Sequence, residues 1–167
     1  NDAKRRQKDV DARWVKKNGA SHYGYKNHIS VDVKHKLIRA FDVTDASVHD
    51  SNLLYDLIDP ENTSADVYAD SAYRSVESVG GLKSMGYREH LQRKGRRNHP
   101  LTSWEKQGNR TRSRIRSRVE HVFGAQFQKA GNLILRTIGL ARAVIKISLR
   151  NLAYNIQRVT TLALAKR

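Results

Sequence analysis

Two neighbouring runs with strand periodicity constrain the fold more than any other feature of this sequence. Residues 28–33 alternate so that Ile29, Val31 and Val33 share one face, and Leu37–Val43 form a second apolar run after a short polar break. Alternation with a period of two is typical of a strand that buries one face, and two such runs joined by a short break indicate a β-hairpin. We therefore predict a sheet in the first third of the chain.

Helix and strand patterns alternate after the hairpin. Apolar residues at helical spacing predict a first helix with Ser47 or Asp50 as its N-cap and Pro60 at its end. Strands at 65–70 and 87–91 then flank a helix at 75–83, and two longer helices follow. This order predicts an α/β fold in which helices cover the faces of a mixed sheet. The two long helices are marked by Ile115, Val119, Val122 and Phe123, and by Ile145, Leu149, Leu152, Ile156, Val159 and Ala163.

The last helix carries a stripe with heptad-like spacing, 4-3-4-3-4. Such a stripe forms either when a helix packs on its own domain or when two chains pair along a seam. We favour the first alternative, and expect Leu149, Leu152, Ile156 and Val159 to be buried within the chain.

Composition restricts the class of protein. A length of 167 residues suits one domain, which we assign to residues 21–167 after a basic lead-in at 1–20. The sequence has no run of 18 apolar residues, so no membrane span is expected. The absence of cysteine excludes disulfides and thiolate metal sites and agrees with a cytoplasmic protein. Because the chain does not begin with Met, we expect a fragment of a longer protein.

The charge indicates a polyanionic partner. A formal net charge of +16 repels itself unless a polyanion neutralises it, and nucleic acid is the natural candidate. The basic residues concentrate between 93 and 118, where Glu105 is the only acid. The predicted DNA-binding residues are Arg93, Lys94, Arg96, Arg97, Arg110, Arg112, Arg114, Arg116 and Arg118.

Two acids stand out as candidates for chemistry. Asp70 follows the strand predicted at 65–70, at the end of the sheet where α/β proteins place their ligands, and Glu120 lies in a helix otherwise rich in arginine. Carboxylates from two separate elements could hold Mg²⁺ or Mn²⁺ against a phosphodiester. The simpler alternatives are that Asp70 caps the turn after its strand and that Glu120 forms an i, i+4 ion pair with Arg116.

Several segments resemble one family of bacterial proteins. The chain is similar to DDE-type transposases of insertion sequences, the "insertion sequence five" group, through segments such as YADSAYR and RVEHVFG. The similarity covers nearly the whole chain in the same order. The segments concerned are 11–19, 23–28, 43–51, 68–74, 118–124, 136–142 and 151–155.

This resemblance implies a ribonuclease H-like fold with a metal-dependent Asp-Asp-Glu triad. Asp70 corresponds to the second acid and Glu120 to the third, while the strand that bears the first acid lies upstream of the segment beginning at Asp11. We therefore expect a sheet that is incomplete at its N-terminal strand and an isolated chain without activity. Asp9, Asp11 and Asp32 are acids within reach, but none matches the family's first position.

The family often sets its third acid in a Tyr-x2-Arg-x3-Glu-x6-Lys pattern. Arg116 and Glu120 fit that pattern, whereas Ser113 replaces the Tyr and Phe127 replaces the Lys. The implied function is DNA transposition, with transposon ends and target DNA as partners and a homo-oligomer on DNA as an open alternative to a single copy. Two other functions stay open: a non-catalytic DNA-binding protein descended from a transposase, and a metal-dependent nuclease.

Overall fold

The first sheet contains three antiparallel strands. The computed structural model describes residues 8–17, 19–131 and 133–165, and within them β1 (Arg13–Lys17), β2 (Ala20–Val31) and β3 (Ile38–Asp45) form this sheet in the order β1-β2-β3. β1 lies in the segment that we assigned to the basic lead-in, of which residues 1–7 and 18 fall outside the described residues.

The predicted hairpin is confirmed as β2 and β3. Asn27 lies opposite Val43, and Ile29 lies opposite Phe41. At the turn between the strands, the Asp32 carboxylate accepts hydrogen bonds from the backbone N–H groups of Lys34 and His35, at 2.9 and 3.0 Å. Asp32, one of the acids within reach of the family's first catalytic position, therefore stabilises a turn.

A second sheet is formed by two parallel strands, β4 (Asp66–Ala69) and β5 (Arg88–Leu91). The helix α1 (Val76–Ser84) connects them, and its N-cap Ser75 accepts a hydrogen bond from the backbone N–H of Ser78 at 3.0 Å. A core cluster of Leu54, Leu82 and Leu91 packs the helix against this sheet.

The helix predicted between the hairpin and β4 is much shorter than expected. Asp50–Leu53 form a single 3-10 turn, and its N-cap is His49, whose Nδ1 accepts from the N–H of Ser51. The prediction of Ser47 or Asp50 as N-cap was wrong. Asp50 is instead the first residue of the turn, and its carboxylate accepts a hydrogen bond from Lys26 Nζ at 3.2 Å.

Two long helices complete the described fold. α2 (Ser103–Ala130) begins with a capping box in which Thr102 and Glu105 satisfy each other's backbone N–H groups, and α3 (Leu140–Leu164) follows after a short irregular segment. α2 contacts both β2 and β4, so this one helix bridges the two sheets. Its Val122 is fully buried in a core cluster with Ile38 of β3 and Tyr154 of α3.

The prediction about which face of α3 is buried was wrong. The helix buries the opposite face, formed by Ala143, Ile147, Asn151 and Tyr154, whereas the four residues expected in the core are all more than half exposed. Hydrogen bonds to β3 explain why this face of α3 is the buried one. Asn155 donates to the carbonyl of Ile38 and accepts from its N–H, both at 2.9 Å, and thereby holds the helix against β3.

The α/β class with helices on mixed strands is confirmed, and the strands are divided between two sheets. Residues 25–31 of β2 pair on one edge only, with β3, and β4 pairs only with β5 among the described strands. Both sheets therefore present an open edge, and α2 contacts the strand at each edge. In the part of the chain that the structure describes, no helix is long and apolar enough to cross a membrane.

Candidate active site

Asp70 is the first residue after β4 and caps the short 3-10 turn Ser71–Tyr73. Its Oδ1 accepts a hydrogen bond from the backbone N–H of Ala72 at 2.7 Å, as the simpler interpretation of this residue predicted. The second oxygen, Oδ2, points to α2, where Arg116 lies 3.8 Å away. The cap fixes the orientation of the carboxylate and leaves one oxygen facing the helix.

Glu120 lies in the middle of α2, one helical turn after Arg116. The Nη2 of Arg116 donates to Glu120 Oε1 at 2.7 Å, so the predicted i, i+4 ion pair is present. The Glu120 side chain is 63% exposed, and a pair this open to solvent contributes at most a few tenths of a kcal/mol to stability. Its position thus leaves the carboxylate accessible to a ligand from solution.

One guanidinium joins the two candidate acids. Arg116 lies 3.8 Å from Asp70 through Nη1 and 2.7 Å from Glu120 through Nη2, so both carboxylates lie within 4 Å of one guanidinium. The contact between Arg116 and Asp70 spans 46 positions of sequence and was not predicted. A cluster in which one cation holds two exposed carboxylates can exchange that cation for another.

The donor atoms at this point suit a divalent ion. Mg²⁺ and Mn²⁺ prefer carboxylate oxygens, and two carboxylates from separate elements are a common minimal set for binding Mg²⁺ beside phosphate groups. No third acid or histidine joins them within the described ranges, where no group of three such residues has metal-binding geometry. Asp70 and Glu120 therefore fit as part of a metal site, and Arg116 lies where it would compete with the ion.

The other acids within reach have structural contacts of their own. Asp9 accepts hydrogen bonds from the Tyr25 hydroxyl at 2.7 Å and from the N–H of Ala12 at 3.2 Å. Asp11 Oδ2 accepts from the N–H of Leu140 at 2.9 Å and thus caps the start of α3. These contacts tie the N-terminal segment to the sheet and to the last helix.

The basic residues predicted to bind DNA divide into two groups. Arg93, Arg112 and Arg116 are half-buried, and Arg93 is held by Glu105 at 2.9 Å, with its guanidinium 5.4 Å from the centre of the Trp104 ring. The other six are exposed on the loop after β5 and on the first half of α2. They are Lys94, Arg96, Arg97, Arg110, Arg114 and Arg118.

A polar cluster that the sequence analysis missed joins β2 to the 3-10 turn at Asp50–Leu53. Lys26 and His28 of β2 both approach Asp50, at 3.2 and 3.7 Å. His28 is 5% exposed, and its Nε2 lies 2.9 Å from the Thr44 hydroxyl. Burial lowers the pKa of His28, and nearby Lys26 adds to the effect while Asp50 opposes it. The signal in the sequence was a histidine on the polar side of an alternating strand.

A second unpredicted cluster covers one side of β4 and β5. Asp66 accepts two hydrogen bonds from Arg88, at 2.8 and 3.0 Å, and lies 2.9 Å from Nε2 of His90. These hydrogen bonds, with Arg88 the largest contributor, hold the pKa of Asp66 well below its usual range. His90 also stacks on Tyr68, with ring centres 4.4 Å apart. The cluster fixes the register of the two short strands.

Comparisons with known proteins find a matching family and a similar relative. Residues 2–156 match the family described as "Transposase DDE domain". The chain is 33% identical over 149 residues to the transposase for insertion sequence element IS1106 of Neisseria meningitidis serogroup B. That alignment covers 89% of this chain and 51% of the relative, so the chain spans about half of that protein's length. No solved structure matches.

Proposed function

Since the chain belongs to the family of transposase DDE domains, we propose that it is part of a transposase that cuts and joins DNA phosphodiesters during movement of an insertion sequence. The observation that supports the proposal is that Asp70, directly after β4, and Glu120 of α2 both lie within 4 Å of the Arg116 guanidinium. The narrower assignment to the insertion sequence five group remains a prediction.

Asp70 and Glu120 would hold Mg²⁺ or Mn²⁺ in this function. The bound ion would activate a water or 3′-hydroxyl and stabilise the leaving oxygen of the phosphodiester. The capping hydrogen bond from Ala72 keeps Asp70 in one orientation, and the helix keeps Glu120 in another. Arg116 would leave the two carboxylates and turn its guanidinium to a DNA phosphate, which provides the same kind of oxygen acceptor.

The exposed basic residues around α2 would position the DNA strand. Lysine and arginine neutralise phosphates and release condensed counterions, so this contribution depends on salt and not on base sequence. The exposed side chains of Arg110, Arg114 and Arg118 lie on the same helix as Glu120, within about three turns of it. The same helix would thereby hold both the DNA strand and the Glu120 carboxylate.

A third carboxylate is needed to complete the triad that the family implies. Residues 25–31 of β2 and the strand β4 both have an open edge, and α2 contacts both strands. We propose that the strand with the first acid lies between these edges and joins the two sheets into one. The 167-residue chain alone would then bind metal weakly and cleave DNA poorly.

A nuclease without strand joining would use the same site, and a decayed DNA-binding protein would use only the basic surface. Two carboxylates beside one arginine favour a metal-dependent enzyme over the binder, because acids facing phosphate weaken simple binding. The reaction would take place on cytoplasmic DNA, with transposon ends and target as substrates and with more than one copy of the protein assembled on them.

The deciding experiment compares this chain with a version extended upstream to include the first-acid strand. With Mg²⁺ or Mn²⁺, the extended protein should cut transposon-end DNA and join its 3′ end to target DNA. Asp70→Ala and Glu120→Ala should abolish both steps, whereas Asp56→Ala, an exposed acid away from the site, should not. Cutting without joining would support the nuclease, and metal-independent DNA binding alone would support the binder.

A further inference from the structure

Three positively charged side chains from separate elements meet where the turn between β2 and β3 lies against the two long helices. They are Lys36 of the turn, Arg118 of α2 and Arg158 of α3, and we call them the turn cluster. Burial lowers the pKa of Lys36, and the nearby charges of Arg118 and Arg158 lower it further. Two of the three residues lie outside the basic run at 93–118, so the fold and not the sequence brings them together.

The buried residues below the turn cluster determine where its two arginines lie. Ile38, Val122 and Tyr154 form a core cluster in which the hairpin meets both helices. Arg118 precedes Val122 by one helical turn and therefore lies on nearly the same side of α2. Arg158 follows Tyr154 by one turn and lies on nearly the same side of α3. Both arginines are thus at the rim of the contact with the hairpin.

Hydrogen bonds hold the turn and Arg158 in place. Arg158 Nε donates to the carbonyl of His35 at 2.7 Å, and the Tyr154 hydroxyl donates to the carbonyl of Lys36 at 2.8 Å. Among the described residues, the other guanidinium nitrogens of Arg158 have no hydrogen-bond partner. Lys36 also has a left-handed φ of 60°, a conformation that favours glycine or asparagine. A lysine held in that conformation indicates a use for its side chain.

No carboxylate pairs with the turn cluster in the ranges that the structure describes, where none of its three residues forms an ion pair. Asp32, the acid of the same turn, accepts hydrogen bonds from the N–H groups of Lys34 and His35. Three cations without an acid repel one another until an anion joins them. A phosphate suits them, because its oxygens accept from both a guanidinium and an ammonium group.

The turn cluster lies on another side of α2 from the candidate acids. Successive residues of a helix are rotated by about 100°, so Arg118 points roughly 160° away from both Arg116 and Glu120. A helix with its side chains is about 10–12 Å across. A phosphate at the turn cluster is therefore separate from the phosphodiester that the acids would hold.

We propose that the turn cluster binds a backbone phosphate of duplex DNA, in a segment separate from the strand held at Asp70 and Glu120. Contacts to phosphate position DNA without reading its base sequence, and they weaken as salt rises. The inference rests on DNA as the partner in the proposed function, but it depends on neither the carboxylates nor a metal. The chain would thereby have two DNA contacts on different sides of α2, and the second would hold DNA that is not being cut.

The first test measures the affinity of the 167-residue chain for a short duplex of unrelated sequence, by fluorescence anisotropy without metal. Lys36→Gln removes one charge and keeps the backbone hydrogen bonds of the turn. It should weaken binding roughly tenfold at about 0.1 M salt and make the dependence of log affinity on log salt shallower by about one. Arg158→Gln in that background should weaken binding further. The control Lys83→Gln removes the same charge from an exposed position of α1.

A Lys36→Gln chain that binds no more weakly than Lys83→Gln would overturn the inference while leaving the proposed function intact. A wild-type chain that does not bind duplex DNA would overturn both. Circular dichroism and urea unfolding of each variant show that it is folded, so that a loss of affinity is assigned to the missing charge.

The second test locates the bound DNA and uses the absence of native cysteine. A photoactivatable label on Lys34→Cys, in the turn beside the cluster, should cross-link to the duplex, whereas the same label on Val76→Cys, at an exposed residue of α1, should not. Asp70→Ala with Glu120→Ala should leave the cross-link at position 34 unchanged. Loss of the cross-link in that double variant, or its absence from a chain that binds DNA, would overturn the separate contact.

Discussion

Removal of the Arg116 charge should strengthen metal binding to the free chain. Its guanidinium lies within 4 Å of both carboxylates, so a divalent ion between them would be about 4 Å from a positive charge. Two unit charges at 4 Å interact by about 1 kcal/mol in water and about 4 kcal/mol near a protein surface, and a divalent ion doubles these values. Because Arg116 is 31% exposed and Glu120 more so, solvent screening favours the lower limit, about 2 kcal/mol.

We therefore expect Arg116→Gln to bind Mn²⁺ roughly ten- to thirtyfold more tightly than the wild-type chain. The assay is electron paramagnetic resonance of free Mn²⁺ during a titration at low salt without DNA. Arg114→Gln removes the same charge from an exposed position of the same helix and is the matched control. The reasoning is refuted if Arg116→Gln binds Mn²⁺ no better than Arg114→Gln, or if Asp70→Asn in the Arg116→Gln background leaves the affinity unchanged.

Three further predictions follow from other parts of the structure. The logarithm of the affinity for duplex DNA of unrelated sequence should fall linearly with the logarithm of the salt concentration. Binding can be followed by quenching of Trp104 fluorescence in a Trp14→Phe background. An affinity that does not change with salt would exclude phosphate binding as the main contribution. Asn151→Ala should lower the free energy of unfolding by about 2–3 kcal/mol in urea, because it leaves the buried Gln126 amide without its acceptor, whereas replacing both residues by apolar ones should recover much of the loss. Burial lowers the pKa of His28, so the folded protein binds a proton at this residue less readily than the unfolded chain. The free energy of unfolding should therefore fall as the pH drops below the ordinary histidine pKa of about 6.5. Urea unfolding midpoints between pH 7.5 and 5 should show this fall, and His28→Gln should make the midpoint depend less on pH.

Local pattern was enough to predict the hairpin and the two strands after it. The alternation at 28–33 depends on neighbouring residues alone, and the structure pairs those residues as expected. Asp70 and Glu120 were singled out by their positions, after a predicted strand and in an arginine-rich helix, and by short segments similar to a family; their role in a metal site stays a prediction. Their contact through Arg116 joins residues 46 positions apart, and no local pattern records such a distance.

The buried face of α3 illustrates why the rest could not be predicted. Hydrophobic periodicity selects the stripe with the most aliphatic residues, but the helix packs instead through Asn151, Tyr154 and Asn155. Those side chains satisfy polar groups of the hairpin, such as the carbonyls of Lys36 and Ile38, which would otherwise be buried without partners. Which backbone groups need a partner is known only once the strands are in place.

The length of α2 has a consequence for insertions and deletions. One uninterrupted helix of 28 residues, about 42 Å long, carries the basic residues, Glu120 and the buried anchor Val122. Each inserted residue would rotate everything beyond it by about 100° around the helix axis. A single alanine inserted between Arg116 and Glu120 would turn the acid away from Asp70 or pull Val122 out of the core. Four inserted residues, close to one full turn, would restore the facing direction with a shift of about 6 Å along the axis. The spacing between the basic residues and the acid is therefore open to change only in whole helical turns.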